Sequence, residues 1–160
     1  MMEGRACVGG HITLIFSIHD DSEFLLEQGS RGAGLALDRG VEIIAHASEG
    51  NGILTSTTPS GQKIHQHVLE ELSTFIPEVL SFDWTINQTL SLPRSQGFGL
   101  SAAGAIACAL SMQRALGEPE DISRARSIHI AHRVERQLSG GLGDVSALHA
   151  GGVELRLEPG

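Results

Sequence analysis

Alternating apolar and polar positions give the first outline of this chain. In "HITLIFSI" (His11–Ile18), β-branched and aromatic residues sit between Gly9-Gly10 and Asp20-Asp21 and predict a strand. "GSRGAGLALDRGVEIIAHA" opens on glycines, then places Leu35, Leu37, Val41, Ile43 and Ala45 on alternate positions. It predicts a second strand, bent at Gly40. A short third strand fits Ile53–Thr57, followed by a turn at Thr58-Pro59-Ser60-Gly61. Ile64, Val68, Leu72 and Phe75 then recur at helical spacing until Pro77. Phe82, Trp84 and Ile86 alternate again and predict a strand that breaks at Pro93.

The rest reads as helical. Gly99 to Leu116 predicts a helix stopped by Gly117 and Pro119. Residues 121–138 predict another, with Ile128, Ala131 and Leu138 on one stripe. A loop with Gly140, Gly141 and Gly143 leads to a short helix over Val145–His149 and a last strand over Gly152–Leu157. The order of elements predicts an α+β, mixed-sheet layer fold, and 160 residues suit one domain.

Composition narrows the function. A formal net charge of −8 argues against non-specific nucleic-acid binding, although local dipoles and single arginines can still hold a small anion. Lys63 is the one lysine, so lysine chemistry has one candidate. Cys7 and Cys108 form no metal or disulfide pattern, and both are expected as buried thiols in a reducing compartment. No signal-peptide pattern opens the chain, and the apolar run Phe98–Met112 is too short to span a bilayer. The expectation is a cytoplasmic protein with no membrane partner.

The stretch "PRSQGFGLSAAGAIACALS" (Pro93–Ser111) carries candidate chemistry. Glycines ahead of a helix let the backbone approach an anion, and the free amides and dipole of the helix N-terminus attract one. Ser101 adds a hydroxyl in the first turn, while Ala102, Ala103, Gly104 and Ala105 keep the helix thin for close packing on a sheet. A P-loop is excluded because no lysine follows the glycines. Gly97-Phe98-Gly99-Leu100-Ser101-Ala102 fits a dinucleotide fingerprint, but Pro93–Gln96 separate it from the strand and a helical pattern follows where a strand is needed. A glycine-rich cap without a ligand stays open.

Two acids complete the set. Glu135 falls on the apolar stripe of the helix 121–138, where a carboxylate needs a partner or a metal; a salt bridge at the stripe's edge is the plainer alternative. Asp144 follows the glycine loop, where it could cap the next helix or act as base toward a substrate hydroxyl. Together they offer a magnesium ligand and an acceptor base, the parts phosphoryl transfer asks for. Of the eight histidines, all but His11 are expected at the surface, with no metal set among them.

These segments resemble a known family. "PRSQGFGLSAAGA" is similar to the phosphate-binding motif of the GHMP kinase superfamily, whose pattern is Pro, a few residues, then Gly-Leu-Ser-Ser-Ala. "GGHITLIF", "GSRGAGLALDRGV", "SQGFGLSAAGA" and "GLGDV", in this order, resemble the archaeal pantoate kinases within it. The resemblance implies a ribosomal-protein-type mixed sheet with a left-handed βαβ unit and helices on one face. It implies that residues 1–160 form the N-terminal ATP-binding lobe, with a C-terminal lobe on further chain, a partner chain or in a homodimer. It implies ATP and Mg2+, with pantoate as the acceptor on the route to coenzyme A; homoserine, mevalonate or shikimate kinases and a non-catalytic nucleotide-binding lobe are the alternatives. By the same resemblance Pro93, Ser95, Gly97, Gly99, Leu100, Ser101, Ala102 and Ala103 cradle the phosphates. Ser101 and Glu135 hold magnesium, Asp144 serves the acceptor hydroxyl, and His11, Ser30 and Arg31 face the substrate.

Overall fold

The structure, a computed structural model, describes residues 1–24, 27–138 and 140–159. Its sheet is built on two long strands, β1 (Met2–His19) and β2 (Gly29–Glu49), paired antiparallel. β4 (Phe82–Leu90) joins the far side of β2, and the short β3 (Leu54–Ser56) lies parallel to β4 at the edge. β5 (Val153–Arg156) pairs with the first half of β2. The sheet is therefore mixed, in the order β1-β2-β4-β3 with β5 off that path.

Among the described residues, four α-helices complete the layer fold. α1 (Gln62–Ser73) connects β3 to the parallel β4, as a parallel pair requires. α2 (Leu100–Ala115), α3 (Glu120–Gln137) and α4 (Asp144–Ala150) follow in sequence. Alternate residues of the long strands face them: Ala6 on β1, Val41, Ile43, Ala45 and Ala47 on β2, and Trp84 and Ile86 on β4 are all buried. α2 is the central helix, buried along almost its whole length between sheet and α3.

Several expectations change here. The first strand begins at Met2, because Gly4 and Ala6 present small rather than β-branched residues to α2. Cys7, next along the strand, therefore points away from the core and is exposed, while Cys108 is buried as expected. Val68 and Leu72 of the predicted α1 stripe are buried and Ile64 packs partly buried against the core, but His65 and Leu69 join them, while Phe75 lies beyond the helix and is exposed. His65 and His132 are buried rather than superficial. Gly104 is not needed for close packing, since a Cβ there would meet nothing within 4 Å. The close approach is on the strand side, where a Cβ at Gly4 would run into the α2 backbone at Ser111.

Candidate active site at the start of the central helix

The turn from β4 into α2 is fastened to β1. Backbone N–H of His11 donates to the carbonyl of Phe98 at 2.9 Å, fastening the glycine turn to β1 where its pairing with β2 shifts register between Gly9 and His11. Gly97 and Gly99 take φ values of 76° and 58°, a region open mainly to glycine. Gly99 is the N-cap of α2, and no side chain caps the helix, which leaves its first amides for an external anion. Pro93 to Gly97 are exposed, so an anion can reach them.

Both predicted acids converge on this turn. Glu135, on α3, is buried; it accepts a short hydrogen bond from the Ser101 hydroxyl and one from the backbone N–H of Gly141 at 2.9 Å. Burial pushes its carboxyl above the usual range. The hydrogen bonds from Ser101 and Gly141 oppose that shift, and the nearby Asp144 charge adds to it. Asp144 begins α4 but caps nothing. Its Oδ1 instead lies 2.8 Å from Nδ1 of His11. A Cβ at Gly99 would stand 3.2 Å from the Asp144 carboxyl carbon and 3.3 Å from the His11 Cβ, so only a glycine fits between the turn and the acid without crowding it.

A buried string of charges extends from Asp144. Nε2 of His11 lies 3.0 Å from Oε1 of Glu154, which also accepts a short contact from Nη1 of Arg156. Nε of Arg156 donates to the Ser30 carbonyl at 3.3 Å. His11, Ser30 and Glu154 are buried, and the Arg156 side chain is 7% exposed. Arg156, Asp144, Ser30, Thr13, Phe16 and the loop 140–143 line a cavity of about 210 Å³. A second cavity, about 220 Å³, opens on the other side of the glycine turn, where His65, Gln88, Arg94 and Ser95 surround Leu100, Ser101 and Gly104.

The arrangement is thus an anion cradle, a hydroxyl–carboxylate pair and a second carboxylate facing its own cavity. Residues 62–152 match the family described as GHMP kinases N terminal domain. This chain belongs to the GHMP kinase family. It is 32% identical to the pantoate kinases of Thermococcus kodakarensis, over 98% of this chain, and Methanospirillum hungatei, over 94%, in each case covering 52% of the relative. A solved phosphotransferase related to the CoA biosynthesis pathway superposes with a TM-score of 0.83 at 32% identity, covering 99% of this chain and 54% of that one. A solved mevalonate kinase superposes with a TM-score of 0.66 at 14% identity, over 99% of this chain and 55% of its own, which shows the shared fold. The chain spans about half the length of the curated relatives it matches.

Within this GHMP domain the predicted residues divide. Gly97, Gly99, Leu100, Ser101, Glu135 and Asp144 gather at the start of α2, and His11 and Ser30 join them through Asp144 and Arg156. Ala102 and Ala103 are buried in the first turn, while Pro93 and Ser95 lie in the exposed stretch before it. Arg31 does not join: it is exposed on β2, next to the buried Ser30 and therefore on the opposite face of the strand. The cation that reaches the Asp144 side of the site is Arg156. Its sequence signal was the spacing Glu154-Leu155-Arg156, which puts a charged pair on one face of a short strand. Lys63 is exposed on α1.

The residues present suit a magnesium ion. Ser101 and Glu135 offer hard oxygen donors, and Glu135 is a buried carboxylate in need of positive charge. No group of three His, Cys, Asp or Glu able to hold a metal occurs among the described residues. That donor count fits Mg2+, which commonly takes one or two protein ligands and completes its shell with phosphate oxygens and water. No described helix is long and apolar enough to cross a membrane.

Proposed function

We propose that this chain is the ATP-binding lobe of a pantoate kinase. The closeness of Asp144 to the Gly99 turn carries the reading, because it sets the phosphate cradle beside the acceptor's base. The amides of residues 97–103 receive the triphosphate. Ser101 and Glu135 would hold Mg2+, which would neutralise charge building on the transferring group. The acceptor hydroxyl lies against Asp144: its oxygen forms a bond to the γ-phosphorus, the γ-phosphorus–bridging-oxygen bond breaks, ADP leaves, and the hydroxyl proton passes to Asp144. Arg156 spends two of its five N–H donors on Glu154 and Ser30, so the others remain for a substrate carboxylate. Phe16 and Leu142 give the same cavity apolar walls, which suits a branched hydroxy acid such as pantoate.

The second lobe belongs to the same proposal. Leu14, Ile15, Val153, Leu155 and Leu157, on or just beyond β1 and β5, are all more than half exposed. We infer that the remaining half carried by the longer relatives covers this apolar face.

The test joins this chain to the second half of the Thermococcus kodakarensis relative and supplies ATP, Mg2+ and pantoate. ADP release with pantoate preferred over homoserine, mevalonate and shikimate is the expected result. No release above background, or preference for another acceptor, overturns the assignment. Calorimetric ATP binding without turnover points instead to a nucleotide-binding module.

A further inference from the structure

His11 sits between two carboxylates with its ring wholly buried. Nδ1 is 2.8 Å from Asp144 Oδ1 and Nε2 is 3.0 Å from Glu154 Oε1. A carboxylate oxygen only accepts, so each contact is a hydrogen bond only if the facing nitrogen carries a proton. A neutral ring would aim one bare lone pair at a carboxylate oxygen inside the protein. The other polar neighbour of the ring, the Thr13 hydroxyl, stands at 3.4 Å from Nδ1 and does not remove that conflict. Charge counting agrees. With a cationic ring the string Asp144, His11, Glu154, Arg156 alternates in sign and sums to zero. Glu154 also needs both cations, because Oε1 meets them both while Oε2 is buried without a hydrogen-bond partner.

We propose that Glu154 is a positioning residue for Asp144, acting through His11. Glu154 holds the ring as a doubly protonated imidazolium. Its Nδ1–H then fixes Asp144 Oδ1 and leaves Oδ2 for the acceptor hydroxyl. The imidazolium also offsets the negative charge that Asp144, Glu135 and an incoming triphosphate bring together. This inference rests on the reading of Asp144 as the group that meets the acceptor, but its first test does not depend on turnover.

Nitrogen-15 NMR of the histidine-labelled chain reads the ring directly. His11, assigned by its loss in His11→Asn, should show both ring nitrogens protonated at pH 7.5, and Glu154→Gln should convert it to a single-proton ring. A neutral His11 ring in the wild-type chain overturns the proposal, and so does an imidazolium that persists unchanged in Glu154→Gln. A thermal melt separates these outcomes from unfolding of the variant, and the wild-type spectrum needs no variant at all. In the lobe-completed enzyme, Glu154→Gln should lower kcat about tenfold or more with the ATP KM nearly unchanged. An unchanged kcat, or an ATP KM that rises in step with the fall in kcat, overturns the role assigned to Glu154. If no phosphoryl transfer is found but the imidazolium is, the kinase reading falls while the relay stands.

Discussion

Replacing Gly99 and Gly97 by alanine, one at a time, separates backbone strain from contact with the site. Both glycines have left-handed φ, 58° and 76°, where an alanine costs roughly 1–2 kcal/mol. For a chain of 160 residues that corresponds to a fall in Tm of about 2–8 °C. The surroundings differ. A Cβ at Gly97 meets nothing within 4 Å, whereas at Gly99 it stands 3.2 Å from the Asp144 carboxyl carbon and 3.3 Å from His11 Cβ. Contacts that tight displace the neighbours by a few tenths of an ångström, and misplacement at a reacting centre is far more costly to rate than to stability. Thermal unfolding by circular dichroism should therefore show similar losses for Gly97→Ala and Gly99→Ala. Turnover of the lobe-completed enzyme should fall much further for Gly99→Ala. Equal turnover in the two variants, or a Gly99→Ala melt within about 0.5 kcal/mol of wild type, the range of an ordinary surface change, would refute the reasoning.

Four further outcomes follow from the geometry. Gly104→Ala should stabilise the chain by about 0.5–1 kcal/mol, since it removes a helical glycine without a clash, yet weaken ATP binding because the methyl enters the cavity beside Ser101; calorimetry alongside a melt checks both. Glu135→Gln should raise Tm at pH 8 and abolish stabilisation by Mg2+. Because burial holds the Glu135 pKa above its unfolded value, the ionised form costs stability at high pH, so the gain should fade as pH falls through the carboxylate range and both states take the proton. His65 is pushed by burial from 6.5 down to about 4, against the opposing Gln88 carboxamide, so the unfolded chain protonates first. Stability should drop between those pH values by on the order of 3 kcal/mol, and His65→Gln should flatten that slope in denaturant titrations. Arg156→Lys keeps the charge but loses the planar fork, and should raise the pantoate KM about tenfold while sparing the ATP KM.

Much of the fold was legible because its strands and helices alternate with the periods their layers impose. Val41, Ile43 and Ala45 on β2 and Trp84 and Ile86 on β4 are buried as their alternation predicts. The pattern failed where burial is achieved by small residues, as at Gly4 and Ala6, and where a polar residue joins an apolar stripe, as His65 does in α1. In the site, Glu135 was legible because a carboxylate on the stripe of α3 demands a reason, and Asp144 because a glycine loop precedes it. Glu154 and Arg156 were not, since the partners that give them meaning, His11 and Ser30, lie 143 and 126 residues away. An arginine near "GSRGAG" looked equally able to face a substrate; strand parity alone sends Arg31 to the other side.

The two acids sharpen what the site can do. Both sit near the start of α2, yet their surroundings separate them, and such separation is how one fold assigns two carboxylates different tasks. Glu135 is buried beside a hydroxyl and a backbone amide, and even with the Arg136 charge nearby, burial holds its carboxyl above the usual range, so a bound cation would favour its ionised form. Asp144 is partly open to its cavity and already has a histidine on one oxygen. The first therefore suits a metal and the second a proton. On the proposed function, this division also accounts for how a chain of net charge −8 with one lysine would serve a polyanionic substrate. The positive charge opposing the triphosphate would come from the helix dipole and from a metal on Glu135, leaving Arg156 for the acceptor. Exchanging the two environments by mutation, rather than the two acids, is what should exchange their roles.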